Sequence, residues 1–141
     1  MAIAYSTTCD QVDWIALKID LGADHFDNGR TPQQMERSFR GSYRCVFARD
    51  GRRIVGTGRA LSDGVCNAYL VDMWTHSAHR RHGIGRRILD LLCENLSGQH
   101  VYLFTDDCQP FYAACGFTSR GAGMERVIGR WLHGDMSRPA P

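Results

Sequence analysis

Apolar residues recur along this chain with two different periods, and the switch between them outlines most of the fold. From Tyr43 to Thr75 the pattern is strand-like and is cut twice by Asp-Gly, at Asp50-Gly51 and Asp63-Gly64. That dipeptide is the strongest short signal for a hairpin, because both turn positions tolerate a left-handed backbone. The spacing predicts an antiparallel meander of three strands, 43–49, 52–61 and 65–75. The period then lengthens, and Ile84, Ile88, Leu91, Leu92 and Leu96 form one stripe of a helix. Val101 to Thr105 reads as strand again, giving a strand-helix-strand crossover that should be right-handed and locally parallel.

The flanks carry shorter signals. Ile3 to Thr7 predicts a first strand, and Val12, Ile15, Ala16 and Ile19 a helix capped by Thr8 or Asp10 and stopped by Gly22. Thr31-Pro32 is a helix start with proline in the first position, leading to about Arg40. Asp106-Asp107 precedes a short helix, Gln109 to Cys115, closed by Gly116. Strands are expected from Phe117 and from Met124 to Ile128, with a turn through Gly121-Ala122-Gly123 between them. The chain shows no repeat, low-complexity segment or linker, so one domain is expected over residues 1–132, with a loose tail over 133–141.

Composition narrows the class. An apolar share of 43% is ordinary for a globular protein, and no run is long enough to cross a membrane. Without an N-terminal signal pattern, the expectation is a cytoplasmic protein with no membrane partner. A net charge of +2 gives no reason to expect nucleic acid. Six cysteines without a Cys-x-x-Cys pair read as reduced, packed thiols.

Charge matters locally. Arg80, Arg81, Arg86 and Arg87 surround the predicted start of the long helix. A helix N-terminus is electropositive and has unpaired amides, so it ordinarily recruits Asp or Glu. Arginines there make sense if an anion completes the site, and Gly83 and Gly85 let the backbone approach it. This stretch therefore reads as a pyrophosphate cradle. It has no Gly-Lys-Ser or Gly-Lys-Thr, and Ile88 stands where a dinucleotide fingerprint would need its third glycine.

What remains, Arg80 to Gly85, is Arg-x-x-Gly-x-Gly, which resembles the coenzyme A loop of the GCN5-related N-acetyltransferases (GNATs). Phe111-Tyr112-Ala113-Ala114-Cys115-Gly116-Phe117 resembles the same family's Phe-Tyr-x-x-x-Gly-Phe motif, in the right order and with the right elements between. The likeness covers residues 43–128 well and the first 40 by element order alone. It implies an α/β GNAT fold: a mixed, mostly antiparallel sheet of about six to seven strands with about four helices, its central parallel strands splayed. It implies acetyl-CoA as cosubstrate and no metal. Arg80, Arg81, His82, Gly83, Ile84, Gly85 and Arg86 would bind the diphosphate, and Met73, Trp74 and Thr75 the pantetheine arm. Tyr112 would protonate the departing thiolate, and the early helices would shape the acceptor pocket.

Acyl transfer to an amine also needs a proton acceptor, because an alkylamine has a pKa near ~10. Asp72 stands on an otherwise apolar strand and is the candidate base facing the acceptor pocket, with an ion pair to Arg59 as the alternative use. His76, His79 and His82 lack a fourth metal ligand. Cys108 and Cys115 flank Tyr112 without a histidine to activate them. Trp74, Phe104 and Trp131 would serve as core or as an aromatic wall. The implied function is transfer of acetyl from acetyl-CoA to the primary amine of a small molecule by direct attack in a ternary complex. A protein or peptide acetyltransferase and a non-catalytic coenzyme A sensor are the competing readings, and a homodimer is possible.

Overall fold

Two Asp-Gly turns bend the middle of the chain into the predicted meander, and the remaining strands add at its two edges. The computed structural model describes residues 2–132. Strand β1 (Ile3–Ser6) is followed by helices α1 (Trp14–Ala23) and α2 (Pro32–Arg40). The meander is β2 (Arg44–Asp50), β3 (Arg53–Ser62) and β4 (Asn67–Thr75). After a 3-10 turn at Ser77–His79 come α3 (Ile84–Cys93), β5 (His100–Tyr102) and α4 (Gln109–Ala114). The sheet order is β1-β2-β3-β4-β5, antiparallel except for β4 with β5. Contacts gather the chain into two compact units, one ending at Tyr102 and one beginning at Leu103.

Several boundaries differ from expectation for local physical reasons. Helix α1 is capped by Asp13, whose side chain accepts from the Ala16 amide at 3.0 Å, and it runs through Gly22. Its buried residues are Trp14, Leu17 and Leu21, while Ile15 and Ile19 are each 67% exposed. The helix is apolar on nearly every side, so periodicity could not choose its face. Aromatic packing does, because the Trp14 ring lies 5.5 Å from Phe39 and 5.9 Å from Phe47. Helix α2 follows the sequence closely: Thr31 and Gln34 form a reciprocal capping box.

The second Asp-Gly turn is wider than predicted. Asp63 draws the amides of Val65, Cys66 and Asn67 onto one carboxylate oxygen, which delays β4 to Asn67. Strand β5 is shorter than predicted and ends at Tyr102. On α3, Leu89 is buried and Leu91 half-buried. The strands expected from Phe117 and from Met124 do not form among the described residues. Gly121 and Gly129 take positive φ there, and Met124 and Ile128 are 93% and 75% exposed, so no alternating face is available to bury. Among the described residues the sheet accordingly has five strands. The tail from residue 133 lies outside the described residues. Cys9 and Cys45 are buried thiols, whereas Cys66 and Cys108 are exposed rather than packed.

Helix α3 lies on β2, β3 and β4. Its approach depends on two glycines of β3, because a Cβ on Gly58 would come within 2.7 Å of Ile88 Cγ2 and 2.9 Å of Leu92 Cδ1. A Cβ on Gly56 would meet Ile88 Cδ1 at 2.8 Å and Ile84 Cγ2 at 3.0 Å. Gly58→Ala should therefore destabilise the fold by about 1–3 kcal/mol through overpacking. Urea unfolding measures this, and an unchanged midpoint would show that α3 is not seated on the glycine stripe.

Candidate active site: a bulged strand and a cationic turn

The chain between β4 and α3 is shaped by two left-handed residues. The His76 amide still bonds to Val55 O at 2.8 Å, Arg80 is extended, and then Arg81 (φ 67°) and Gly83 (φ 79°) turn the backbone over. Gly83 is the N-cap of α3 and, having no side chain, leaves the helix without a side-chain cap. The first turn also contains no acid. The amides at the start of α3 thus lack the side-chain acceptor that usually satisfies them, and Arg81, His82, Arg86 and Arg87 are exposed around them. A donor set of this kind fits an anionic diphosphate.

Strand β4 leads into this turn and is itself irregular. Thr57 pairs with Trp74 and Arg59 with Val71, so Asp72 and Met73 together stand opposite the single residue Gly58. This is a bulge, and Asp72 takes φ 57° in it. The Asp72 carbonyl accepts from Thr57 Oγ1 at 2.7 Å. The β4–β5 ladder holds only Asn67↔His100, Ala68↔Val101 and Tyr69↔Tyr102. Strand β4 continues six residues further, so Trp74 and Thr75 pair with β3 on one side, and Met73, Trp74 and Thr75 all lie past the end of the β5 ladder on the other.

The Asp72 side chain is 9% exposed and holds two arginines. Arg30 grips it with both terminal nitrogens, Nη2 to Oδ1 at 2.9 Å and Nη1 to Oδ2 at 3.1 Å, and Arg59 Nε donates to Oδ2. The ion pair with Arg59 read from the sequence is therefore present, with Arg30 as a second partner. Arg30 is only 5% exposed; Asn28 accepts from its Nε at 2.9 Å, and Lys18 donates to its carbonyl. Removing one member of such a group would strand a buried charge.

Asp24, the C-cap of α1, has a comparable role beside the turn. Its Oδ2 accepts from the Trp74 indole at 3.0 Å and the Ser77 amide at 2.9 Å, and Arg80 Nη2 lies 3.7 Å away. Burial pushes this carboxyl up, but the bonds from Ser77 and Trp74 and the charge of Arg80 more than offset that and hold it below its ordinary value. Asp24, Arg30 and Thr57 were not singled out in the sequence. Arg30 and Asp72 are 42 positions apart, so no local spacing could have revealed the pair.

His76 accepts from the Ala78 amide at 3.1 Å and His79 meets Asp50 at 3.1 Å. In the second unit, α4 carries Tyr112, whose ring packs edge-on against Phe111 and Phe117 at 5.0 and 5.9 Å. Burial, with Cys108 and Cys115 nearby, pushes its phenol up to about 12. Trp74 is core, whereas Phe104 and Trp131 are 68% and 58% exposed. An open hollow of ≈ 400 Å³ between α1 and the β2–β3 turn, lined by Ile19, Asp20, Arg53 and Ile54 among others, contains none of the sequence-predicted site residues. No described helix is long and apolar enough to cross a membrane.

Comparison with known proteins bears on the family and the fold. Residues 41–119 match the sequence pattern of the acetyltransferase (GNAT) domain. The chain is similar to the chloroplastic GCN5-related N-acetyltransferase 3 of Arabidopsis thaliana, at 35% identity over 69 residues. That match covers 46% of this chain and only 29% of the relative. Among solved structures, a GNAT-family acetyltransferase of Streptococcus pneumoniae TIGR4 superposes with a TM-score of 0.75 at 22% identity, covering 92% of this chain and 100% of the other. Glucosamine-6-phosphate N-acetyltransferase of Arabidopsis thaliana gives 0.72 at 16% identity, covering 91% and 99%. These two likenesses show a shared fold, here built on five strands among the described residues rather than the six to seven expected. With the domain pattern spanning more than half of its length, this chain belongs to the GNAT family of acetyltransferases.

Proposed function

We propose that the protein transfers acetyl from acetyl-CoA to the primary amine of a small molecule by direct attack, without an acylated enzyme. The observation that carries this reading is the uncapped, acid-free N-terminus of α3, ringed by arginines and reached directly from a bulged strand. The amides from His82 to Arg86, with Arg80 and Arg81, hold the diphosphate. The β4 backbone from Met73 to Thr75 offers strand-like hydrogen bonds to the pantetheine amides, because its ladder with β5 has ended. In the reaction the amine nitrogen bonds to the thioester carbonyl carbon, the carbon–sulfur bond breaks, and the thiolate takes a proton. Tyr112 is assigned to supply that proton. With its phenol pushed up to about 12, it is protonated throughout the neutral range and available as a donor.

The amine must lose a proton before it attacks. Asp72, the base candidate from the sequence, has three of roughly four acceptor sites engaged by guanidinium donors. Taking the proton would mean giving up charge-assisted bonds, which favours passage of the proton through water. Asp72 then serves to fix Arg30 and Arg59 at the bulge. A small amine is the favoured acceptor, as no extended acidic groove marks the sequence for a protein tail.

A thiol-release screen with acetyl-CoA against polyamines, arylalkylamines, aminoglycosides and peptides tests the activity. Amine-dependent release on a small amine is expected; tight coenzyme A binding without release on any amine would leave only a binding module. Tyr112→Phe should lower kcat at least about tenfold while KM for acetyl-CoA changes little. The wild-type kcat should show no alkaline fall from loss of the phenol proton below pH ~10, since that proton is held to higher pH. Asp72→Asn should cost about 3 kcal/mol in urea unfolding, with the folded fraction keeping most of its kcat. A tenfold or greater loss of kcat at unchanged stability would instead make Asp72 the base.

A further inference from the structure

The connection between α1 and α2 is tied to the site at both ends, and its first residue faces the cationic turn. Asp24 Oδ2 accepts from the Trp74 indole of β4 and the Ser77 amide of the 3-10 turn, and the Arg80 guanidinium at the mouth of the cradle forms an ion pair with it at 3.7 Å. The carboxylate is 7% exposed while Arg80 is 55% exposed. Arg80 has a second anchor, since its Nε donates to Thr75 O at 3.1 Å. Held on two sides, the guanidinium keeps its remaining N–H donors on the exposed part of the fork, where they need no reorganisation to meet an anion. The turn from Thr75 to Arg80 has no acid of its own, so the anchoring falls to a residue more than fifty positions away in sequence.

We propose that Asp24 is a positioning residue for diphosphate binding: it never touches the ligand but fixes the Arg80 fork and the turn that carries it. This rests on the functional reading above and extends it to a residue outside both family motifs. One carboxylate behind the fork orients the arginine without cancelling its attraction for a diphosphate, which carries more negative charge than Asp24 does. The substitutions separate shape from charge. In Asp24→Asn the amide oxygen can still accept from Trp74 and Ser77 and only the charge facing Arg80 is lost; in Asp24→Ala every tie is lost.

The test is calorimetric titration of coenzyme A into the full chain, as wild type, D24N, D24A, R80A and the two Asp24 variants combined with R80A. D24A should weaken coenzyme A about tenfold and D24N about threefold, and each effect should shrink to within about twofold once Arg80 is absent. A residue that merely stabilises the fold would give the same loss in both backgrounds, and that result overturns the proposal. Should D24A fail to fold, the D24N pair carries the same comparison. Wild-type affinity in both single variants overturns this inference alone. A wild-type chain that does not bind coenzyme A overturns the functional reading and the inference with it.

Discussion

A helix whose start is flanked by arginines and has no side-chain cap is held together against its own electrostatics, and the rest of the site is arranged around that conflict. Four guanidinium groups near the positive end of the α3 dipole repel each other and the dipole. The cost is met by packing beneath the turn. Ile84, Ile88, Leu89 and Leu92 are buried, and Gly56 and Gly58 let the helix settle directly on β3. The helix start is therefore fixed by its apolar side while its polar side is left open to a ligand.

The same strand that supports α3 also creates the irregularity beside it. Gly58 faces two residues of β4, and the bulge turns Asp72 into the left-handed region, where its carboxylate meets Arg30 and Arg59. Left-handed backbone at an aspartate carries a modest cost, and a buried carboxylate a larger one. Two arginines offset both in a way that no single surface pair would. Arg30 brings the α1–α2 connection to the bulge, and Asp24 brings the other end of that connection to the cationic turn. Segments far apart in sequence thus share responsibility for one short stretch of backbone.

The sequence made some of this legible and hid the rest for identifiable reasons. The meander, α2 with its capping box, and α3 were readable because each has a local signal: Asp-Gly, Thr31-Pro32, and a sustained stripe. The face of α1 was not, because Ile15 and Ile19 are as apolar as Leu17 and Leu21, and only contacts with Phe39 and Phe47 decide between them. The expected C-terminal strands do not form among the described residues, since Gly121 and Gly129 take left-handed backbone in a segment whose apolar residues stay exposed. At the site, Arg80 to Gly85 and Phe111 to Phe117 announce themselves as motifs. The partners of Asp72 and the role of Asp24 depend on long-range ion pairs, for which a one-dimensional pattern has no period.

The central claim is that the amides opening α3 receive a diphosphate. Backbone amide NMR during titration with coenzyme A measures it most directly. The account predicts large, saturable shifts centred on His82 to Arg86, with slowed hydrogen exchange at the same positions. Unmoved amides in that segment at saturating ligand, or shifts confined to other parts of the chain, would contradict it.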